Sequence, residues 1–162
     1  MRLDAPELPA SALRVQDAAR ARGLDIAVAE MAESTRTAEE AASACGCAVA
    51  QIVKSLVFRG AASGKPYLML VSGSNRLDEK AVAAVLGESL ARPDAAYVRD
   101  VTGFAIGGIP PLGHATPMQV FIDEDLLAYE TVWAAAGTPR AVFAVDPKRL
   151  ADAAGARAIT VR

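Results

Sequence analysis

Two apolar segments that lie close together in the sequence, the first of them rich in β-branched residues, constrain the fold more than any other feature of the chain. Residues 49–58 read Val-Ala-Gln-Ile-Val-Lys-Ser-Leu-Val-Phe, and residues 67–72 read Tyr-Leu-Met-Leu-Val-Ser. Segments of this length and composition are typical of strands, and the glycines at 60 and 64 lie in the connection between them. The pair therefore predicts a β-hairpin with a rather long turn.

Helix signals surround this hairpin. Thr37-Ala-Glu-Glu40 is a capping box, and Asp146-Pro147 supplies an N-cap followed by a proline suited to the first turn. A glycine lies at or just beyond the end of each predicted helix. The predicted helices cover residues 8–23, 37–46, 77–86, 93–101 (with Pro93 in the first turn) and 146–155.

The remaining apolar segments complete an α+β pattern. Alternation predicts strands at residues 25–30 and 118–123. We also expect a last short strand at residues 158–161 and one helical turn at residues 124–129. Residues 131–136 suit a helix or a strand, but the turn residues before 141–145 favour a second hairpin. At 162 residues the chain has the length of one domain, residues 1–162, with 1–23 as a helical extension packed on it. Helices between hairpins predict an α+β fold with a mixed, largely antiparallel sheet.

Composition excludes several classes of function. Alanine accounts for 36 of the 162 residues, so the 52% apolar content indicates padding and not a membrane protein. The formal charge of −2 offers no global attraction to nucleic acid or membranes. The first nine residues lack the basic patch and apolar run of a signal peptide, so we expect a cytoplasmic protein that does not enter a membrane.

The sequence contains few of the cysteine and histidine residues that bind transition metals. Cys45-Gly-Cys47 has no second cysteine pair, and the chain has a single histidine, so a zinc site is not indicated. We expect two ordinary thiols, no metal and no cofactor.

Lys54 is the most informative polar residue, because it interrupts an apolar strand. Alternation places it on the face of Ile52, Leu56 and Phe58, opposite Val53. An unpaired buried ammonium is costly, so one interpretation is an edge-strand lysine that reaches out to solvent. The other is an ammonium at the mouth of a pocket, where it would hold an anion.

The second candidate site is the glycine- and proline-rich segment 103–114. Glycines allow close approach of the backbone to a ligand, and prolines stiffen the loop, so its amides could grip a carbonyl or stabilise an oxyanion. A structural turn is the alternative. The spacing does not fit a phosphate-binding Gly-x-Gly-x-x-Gly motif, and no Gly-x-Ser-x-Gly elbow is present. His114 could be an acid or base, although a lone histidine at a loop end is more often structural.

Taken together, these motifs resemble the YbaK/EbsC-type prolyl-tRNA editing family, from about Thr37 onward. The resemblance rests on the order and spacing of five short motifs. They are Ala44-Cys-Gly46, Gln51-Ile-Val-Lys-Ser-Leu-Val-Phe58, Leu77-Asp-Glu-Lys80, Gly107-Gly-Ile-Pro-Pro-Leu-Gly-His114 and Ala136-Gly-Thr138.

The resemblance implies a partly barrel-like mixed sheet and hydrolysis of the ester that joins a wrong amino acid to the 3′ end of a tRNA. It implies no metal, and chemistry assisted by a ribose hydroxyl or a thiol of the substrate. Lys54 would be the key polar residue, and residues 107–111 would grip and size the aminoacyl group. Ser55 stands where some branches carry asparagine.

The resulting hypothesis is a free-standing deacylase for mischarged tRNA, most simply tRNA(Pro) with a small non-cognate amino acid. A prolyl-tRNA or other synthetase is a candidate partner. Two alternatives are a binding module without catalysis and a general esterase with His114 as base. The expected catalytic residues are Lys54, Gly107 and Gly108, and the expected substrate-binding residues are Ser55, Ile109, Pro110, Pro111, Gly113, His114, Gly137 and Thr138.

Overall fold

The computed structural model describes residues 8–162, so expectations about residues 1–7 lie outside the described part of the chain. The described residues form five α-helices and eight β-strands in one α/β domain. The helices are α1 (Ala10–Ala21), α2 (Ala38–Cys45), α3 (Glu79–Leu86), α4 (Ala95–Thr102) and α5 (Pro147–Ala154). The strands are β1 (Ala29–Glu30), β2 (Ile52–Gly60), β3 (Pro66–Ser72), β4 (Leu90–Ala91), β5 (Gln119–Asp123), β6 (Val132–Ala135), β7 (Ala141–Val145) and β8 (Ala156–Ile159).

The strands form one mixed sheet, as predicted. Its order is β1-β7-β6-β2-β3-β5-β8, with β4 paired to β2 outside this path. Both predicted hairpins are confirmed, because β2 pairs antiparallel with β3 and β6 pairs antiparallel with β7. Parallel pairings of β2 with β6, β3 with β5 and β5 with β8 join these units.

Helix boundaries follow the capping side chains. The predicted capping box is confirmed, with Thr37 and Glu40 bonded to each other's backbone amides at 3.1 Å. The prediction for α4 was wrong at its start, because Asp94 accepts from the amide of Tyr97 at 2.8 Å and acts as N-cap. Pro93 therefore precedes the cap and does not lie in the first turn.

The short strands were the hardest to predict. The first is confined to β1, shorter than the predicted 25–30. β8 begins at Ala156, earlier than predicted, because its register is set by β5, where Val120 pairs with Ala156. β4 has two residues and was not predicted, since two residues show no alternation.

Strand β3 lies at the centre of the core. Leu68 and Leu70 point to one face of the sheet, where they join an apolar cluster that includes Val15 of α1. Met69 and Val71 point to the other face, towards Val82 of α3. Burial on both faces explains why this strand reads as a continuous apolar segment.

Helix α1 is part of the main core. Its residues Ala12, Val15 and Ala19 have no exposed surface and pack in the same cluster as the central strands. Across the described residues, no helix has both the length and the apolar character that a membrane span requires.

The edges of β2 position the functional site. On one edge β3 pairs with residues 53–59 of β2. On the other edge β6 pairs only with Ile52 and Val53, and β4 only with Arg59 and Gly60. Residues 54–58 consequently have no strand partner on this edge within the described structure, and Lys54 is the first of them.

The β2–β3 turn is held by a carboxylate. Glu88 accepts hydrogen bonds from the amides of Ala62 and Ser63 at 3.0 and 2.9 Å, and from the Tyr67 hydroxyl at 2.6 Å. The hydrogen bond from Tyr67, followed by those from Ser63, lowers the pKa of Glu88 from 4.5 to about 2.

Acid should therefore weaken this turn. Since the folded chain prefers ionised Glu88, its stabilising effect is complete above pH 4.5 and is lost as the pH falls towards 2. We expect Glu88→Gln to lower the urea midpoint at pH 7 and to differ much less from the wild type at pH 2.5. The exposed Glu33→Gln variant is the control, and an equal deficit of Glu88→Gln at both pH values would contradict this role.

Candidate active site

A cavity of about 300 Å³ opens along the unpaired edge of β2. One wall is β2 itself, and the glycine loop faces it from the other side. The cavity is lined by residues 35–38, 52–56, 106–109 and 133–135, together with Ala41 and Val142. Most of this surface is apolar, and it has the size of a small-ligand site.

A second cavity of about 390 Å³ adjoins the first. The two share five wall residues, namely Lys54, Ser55, Leu56, Ile106 and Ile109. Apolar side chains of Phe58, Leu77 and Val98 line the second cavity, and Arg76 and Arg92 add positive charge. Arg92 also pairs with Glu79 at 3.0 Å, an ion pair exposed to solvent. The two cavities thus lie side by side along β2, with Lys54 in the wall of both.

Lys54 lies on the locally unpaired edge of β2 and in the walls of both cavities, and it is half-buried, whereas an edge-strand lysine of the kind considered from the sequence would reach out to solvent. Its Nζ donates to the backbone carbonyl of Asn75 at 2.6 Å. Burial lowers the pKa of Lys54; Glu39 and Asp123 oppose this shift, and Arg76 adds to it. The ammonium retains donors for a ligand, since one of its three protons is used by Asn75.

Ser55 is the neighbouring polar residue of this edge and also lines both cavities. Its Oγ is inaccessible to solvent and has no hydrogen-bond partner in the described structure. A buried hydroxyl without a partner is uncommon, because leaving it unsatisfied is unfavourable. This hydroxyl is therefore enclosed by the protein, and Ser55 contributes other atoms to the two cavity walls.

The glycine loop is fixed to the hairpin formed by β6 and β7. The carbonyl of Gly108 accepts from the amide of Gly137 at 2.8 Å. The amide of Gly108 turns back to the carbonyl of Ala105 at 3.4 Å, while the amides of Gly107 and Ile109 donate to nothing within residues 8–162. The two free amides therefore belong to residues that line the first cavity.

Close packing explains the glycine at 108. A Cβ there would lie 2.6–2.8 Å from the backbone of Thr138. Gly137 and Thr138 thus support the loop from behind, and neither lines the two cavities. Gly107 has a positive φ of 103°, which a residue with a side chain rarely adopts.

The later part of the loop lies outside both cavity walls. Pro110 and Pro111 are buried, and Gly113 packs beside Ala18 of α1. The Nε2 of His114 lies 2.7 Å from the carbonyl oxygen of Pro110, and burial lowers the pKa of His114. The geometry gives these four residues a supporting position and gives no support to His114 as a base.

Several cavity residues were not predicted from the sequence. Arg36 extends over the loop, with its Nε 2.9 Å from the place where a Cβ on Gly107 would lie. Trp133 lines the first cavity, and Arg76 and Arg92 line the second. The single tryptophan of the chain could have been considered as a site residue from the sequence. The arginines could not, because no local sequence pattern indicates which loop an arginine side chain will cover.

The first cavity has donors but no acid–base pair. Its described lining contains hydroxyls, an ammonium and a guanidinium, and no Asp, Glu, His or Cys. Cys45 lies outside the linings of both cavities. Burial raises the pKa of its thiol to about 11, so the thiol is protonated at neutral pH. No cluster of three metal-binding side chains occurs among the described residues. The site can therefore bind and orient a carbonyl or an anion.

The fold and this site define a YbaK-like editing domain. The sequence model of the aminoacyl-tRNA editing domain matches residues 32–153, and the chain belongs to that family.

Individual relatives agree with this assignment. The uncharacterized protein YwhH of Bacillus subtilis (strain 168) is 31% identical over 125 residues, which cover 77% of this chain and 79% of YwhH. A crystal structure of a candidate trans-editing enzyme for prolyl tRNA synthetase is 51% identical, with a TM-score of 0.91 over 96% of this chain and 99% of the other. That of the hypothetical protein APE2540 is 30% identical, with a TM-score of 0.84 over 91% and 98% of the two chains.

Gly108→Ala tests the close contact behind the loop. The added methyl would overlap the Thr138 backbone, so we expect a loss of about 1–3 kcal/mol in the free energy of unfolding. Urea denaturation measures this loss, with Ala105→Ser, an exposed change in the same loop, as the control. An unchanged unfolding free energy would mean that the loop is not held against residue 138.

Proposed function

We propose that this protein is a free-standing deacylase that removes a wrongly attached small amino acid from tRNA. Family membership supports the editing role in general. The observation that carries the finer proposal is the pairing of Lys54 with the free amides of Gly107 and Ile109 around one cavity. These are donors suited to the carbonyl and phosphate oxygens at the end of an aminoacyl-tRNA.

The two cavities suggest how the substrate is divided. The first has small apolar residues, Ala134, Ala135 and Val142, which suit a short amino-acid side chain. The second combines an apolar wall with Arg76 and Arg92, which suit a nucleobase and the phosphate beside it. In this arrangement the ester lies between the cavities, beside Lys54 and Ser55.

The reaction is hydrolysis of the ester by water. Oxygen from water adds to the carbonyl carbon, the bond from that carbon to the ribose oxygen breaks, and the ribose oxygen takes up a proton. The products are the free amino acid and tRNA with an intact terminal hydroxyl. The first cavity offers no carboxylate or imidazole, and Glu79, the carboxylate in the described lining of the second, is paired with Arg92. The proton is therefore transferred through a group of the substrate, such as the vicinal ribose hydroxyl.

The protein's own groups stabilise charge and fix geometry. Lys54 and the two loop amides orient the carbonyl and the terminal ribose or phosphate. Preorganised donors of this kind favour the transition state because charge accumulates on the carbonyl oxygen as water adds.

We further propose tRNA(Pro) as the carrier and prolyl-tRNA synthetase as the associated synthetase, in the cytoplasm where tRNA is charged. The support is the 51% identical candidate trans-editing enzyme for prolyl tRNA synthetase. The formal charge of −2 favours a limited contact at the 3′ end over neutralisation of many phosphates.

Single-turnover hydrolysis of a panel of mischarged tRNAs tests the activity. We expect Lys54→Ala to slow hydrolysis about 100- to 1,000-fold, the usual effect of losing a preorganised donor. Lys65→Ala, at an exposed position outside both cavities, serves as the matched control. Both variants should retain the wild-type circular dichroism spectrum.

The alternatives give different results in the same assay. Unchanged hydrolysis by folded Lys54→Ala would remove Lys54 from the mechanism. Binding of every aminoacyl-tRNA without turnover would replace the deacylase with a binding module.

A separate experiment tests whether Arg76 in the second cavity binds the phosphate beside the nucleobase. We expect Arg76→Ala to raise KM several-fold with little change in kcat, and to reduce the slope of log KM against log salt by about 0.7, the value for one single-strand phosphate. Arg157→Ala, an exposed change outside both cavities, should change neither quantity. An unchanged salt slope in Arg76→Ala would exclude a phosphate contact at this arginine.

A further inference from the structure

A buried carboxylate lies behind Lys54 without touching it. Asp123, at the end of β5, is 1% exposed. Its Oδ2 accepts from the amide of Ser72 at 3.0 Å and from the side-chain amide of Asn75 at 2.8 Å. Its Oδ1 accepts from the amide of Asp125 at 2.9 Å. Asp123 therefore ties the segment after β3 to the segment after β5.

Asn75 is the link between this carboxylate and the site. Its side-chain amide is shared between Asp123 and Asp125, both at 2.8 Å, and its backbone amide donates to Ser72 at 2.9 Å. Its own carbonyl is the group that receives the Lys54 ammonium at 2.6 Å. The hydrogen bonds of the Asn75 side chain and of its backbone amide therefore fix the direction in which its carbonyl points.

We propose that Asn75 and Asp123 are positioning residues that hold the Lys54 ammonium at the boundary between the two cavities. A lysine stem is flexible, and a half-buried ammonium needs an acceptor to remain within the wall. The Asn75 carbonyl supplies this acceptor while leaving other ammonium protons for a ligand. The catalytic consequence rests on the proposed function; the placement of the ammonium does not.

The charges that face Lys54 come from three segments. Glu39 of α2 and Asp123 of β5 favour the ammonium, and Arg76, which follows β3, opposes it. Asp123→Asn removes one favourable charge and also replaces one of the two accepting oxygens with an NH2 group, which then faces a donor of Ser72 and Asn75 or of Asp125. Asn75→Ala leaves all these charges in place and removes only the two hydrogen bonds of the Asn75 side chain.

Lysine NMR tests the placement directly. The chain has four lysines, and Lys54 is the one that is not exposed. With 15N- and 13C-labelled lysine, we expect one Nζ signal with slow proton exchange and restricted motion, which Lys54→Arg removes and so assigns. Asn75→Ala should give that signal the exchange and mobility of the other three. An unchanged Lys54 signal in folded Asn75→Ala would overturn the proposal.

Kinetics tests the consequence for catalysis. We expect Asn75→Ala to reduce kcat about 10- to 100-fold with a smaller change in KM, because the donor is misplaced and not removed. Asp123→Asn should shift the upper limb of the pH profile of kcat/KM to lower pH, since Lys54 loses a favourable charge. Asp146→Asn, an equal charge change at the N-cap of α5, should leave the profile unchanged.

The deacylase function and the positioning role of Asn75 and Asp123 can be disproved independently of each other. If the wild type hydrolyses no mischarged tRNA, the proposed function is wrong, and the lysine spectra still decide the positioning. If the wild type is active and Asn75→Ala retains its kcat and its Lys54 signal, the positioning is wrong. If Asp123→Asn does not fold, the part-buried Asn75 still provides the test.

Discussion

Strand β2 is paired by β3 along most of one edge and only at its two ends on the other, by β6 and by β4. The interval of residues 54–58 leaves backbone groups without strand partners beside two cavities. An open edge inside a sheet is ordinarily unfavourable, and here the loop from Ile106 to Ile109 lies across it. Both cavities lie along this interval, which no other strand fills, and the Lys54 ammonium is in the wall of each.

The chemistry of the site follows from what the interval can hold. The open edge presents the Lys54 ammonium to both cavities, and the facing loop adds the amides of Gly107 and Ile109. These groups bind negative or carbonyl oxygen, but they do not exchange protons readily at neutral pH. In the proposed deacylation, proton transfer therefore comes from a group of the substrate, which limits the activity to substrates that carry such a group.

The parts of the fold that depend on local physics were predictable from the sequence. Hairpins, the capping box at Thr37 and the helix ends at glycines follow from alternation and capping. Lys54 could be identified from the sequence as a candidate site residue, because an unpaired charge within an apolar strand is costly to bury. The parallel pairings and the arginines at 36, 76 and 92 were not predictable, since they depend on segments distant in the chain meeting in space.

Helix α1 lies outside the matched region of residues 32–153, yet it packs against the back of the glycine loop. Gly113 lies against Ala18, and Gly137 lies against the backbone of Ser11. Substitutions in α1 can therefore shift the loop by fractions of an ångström without altering any cavity residue. Because residues 106–109 of this loop form one wall of the first cavity, a sequence change in α1 can alter the shape of that cavity while the lining residues stay the same.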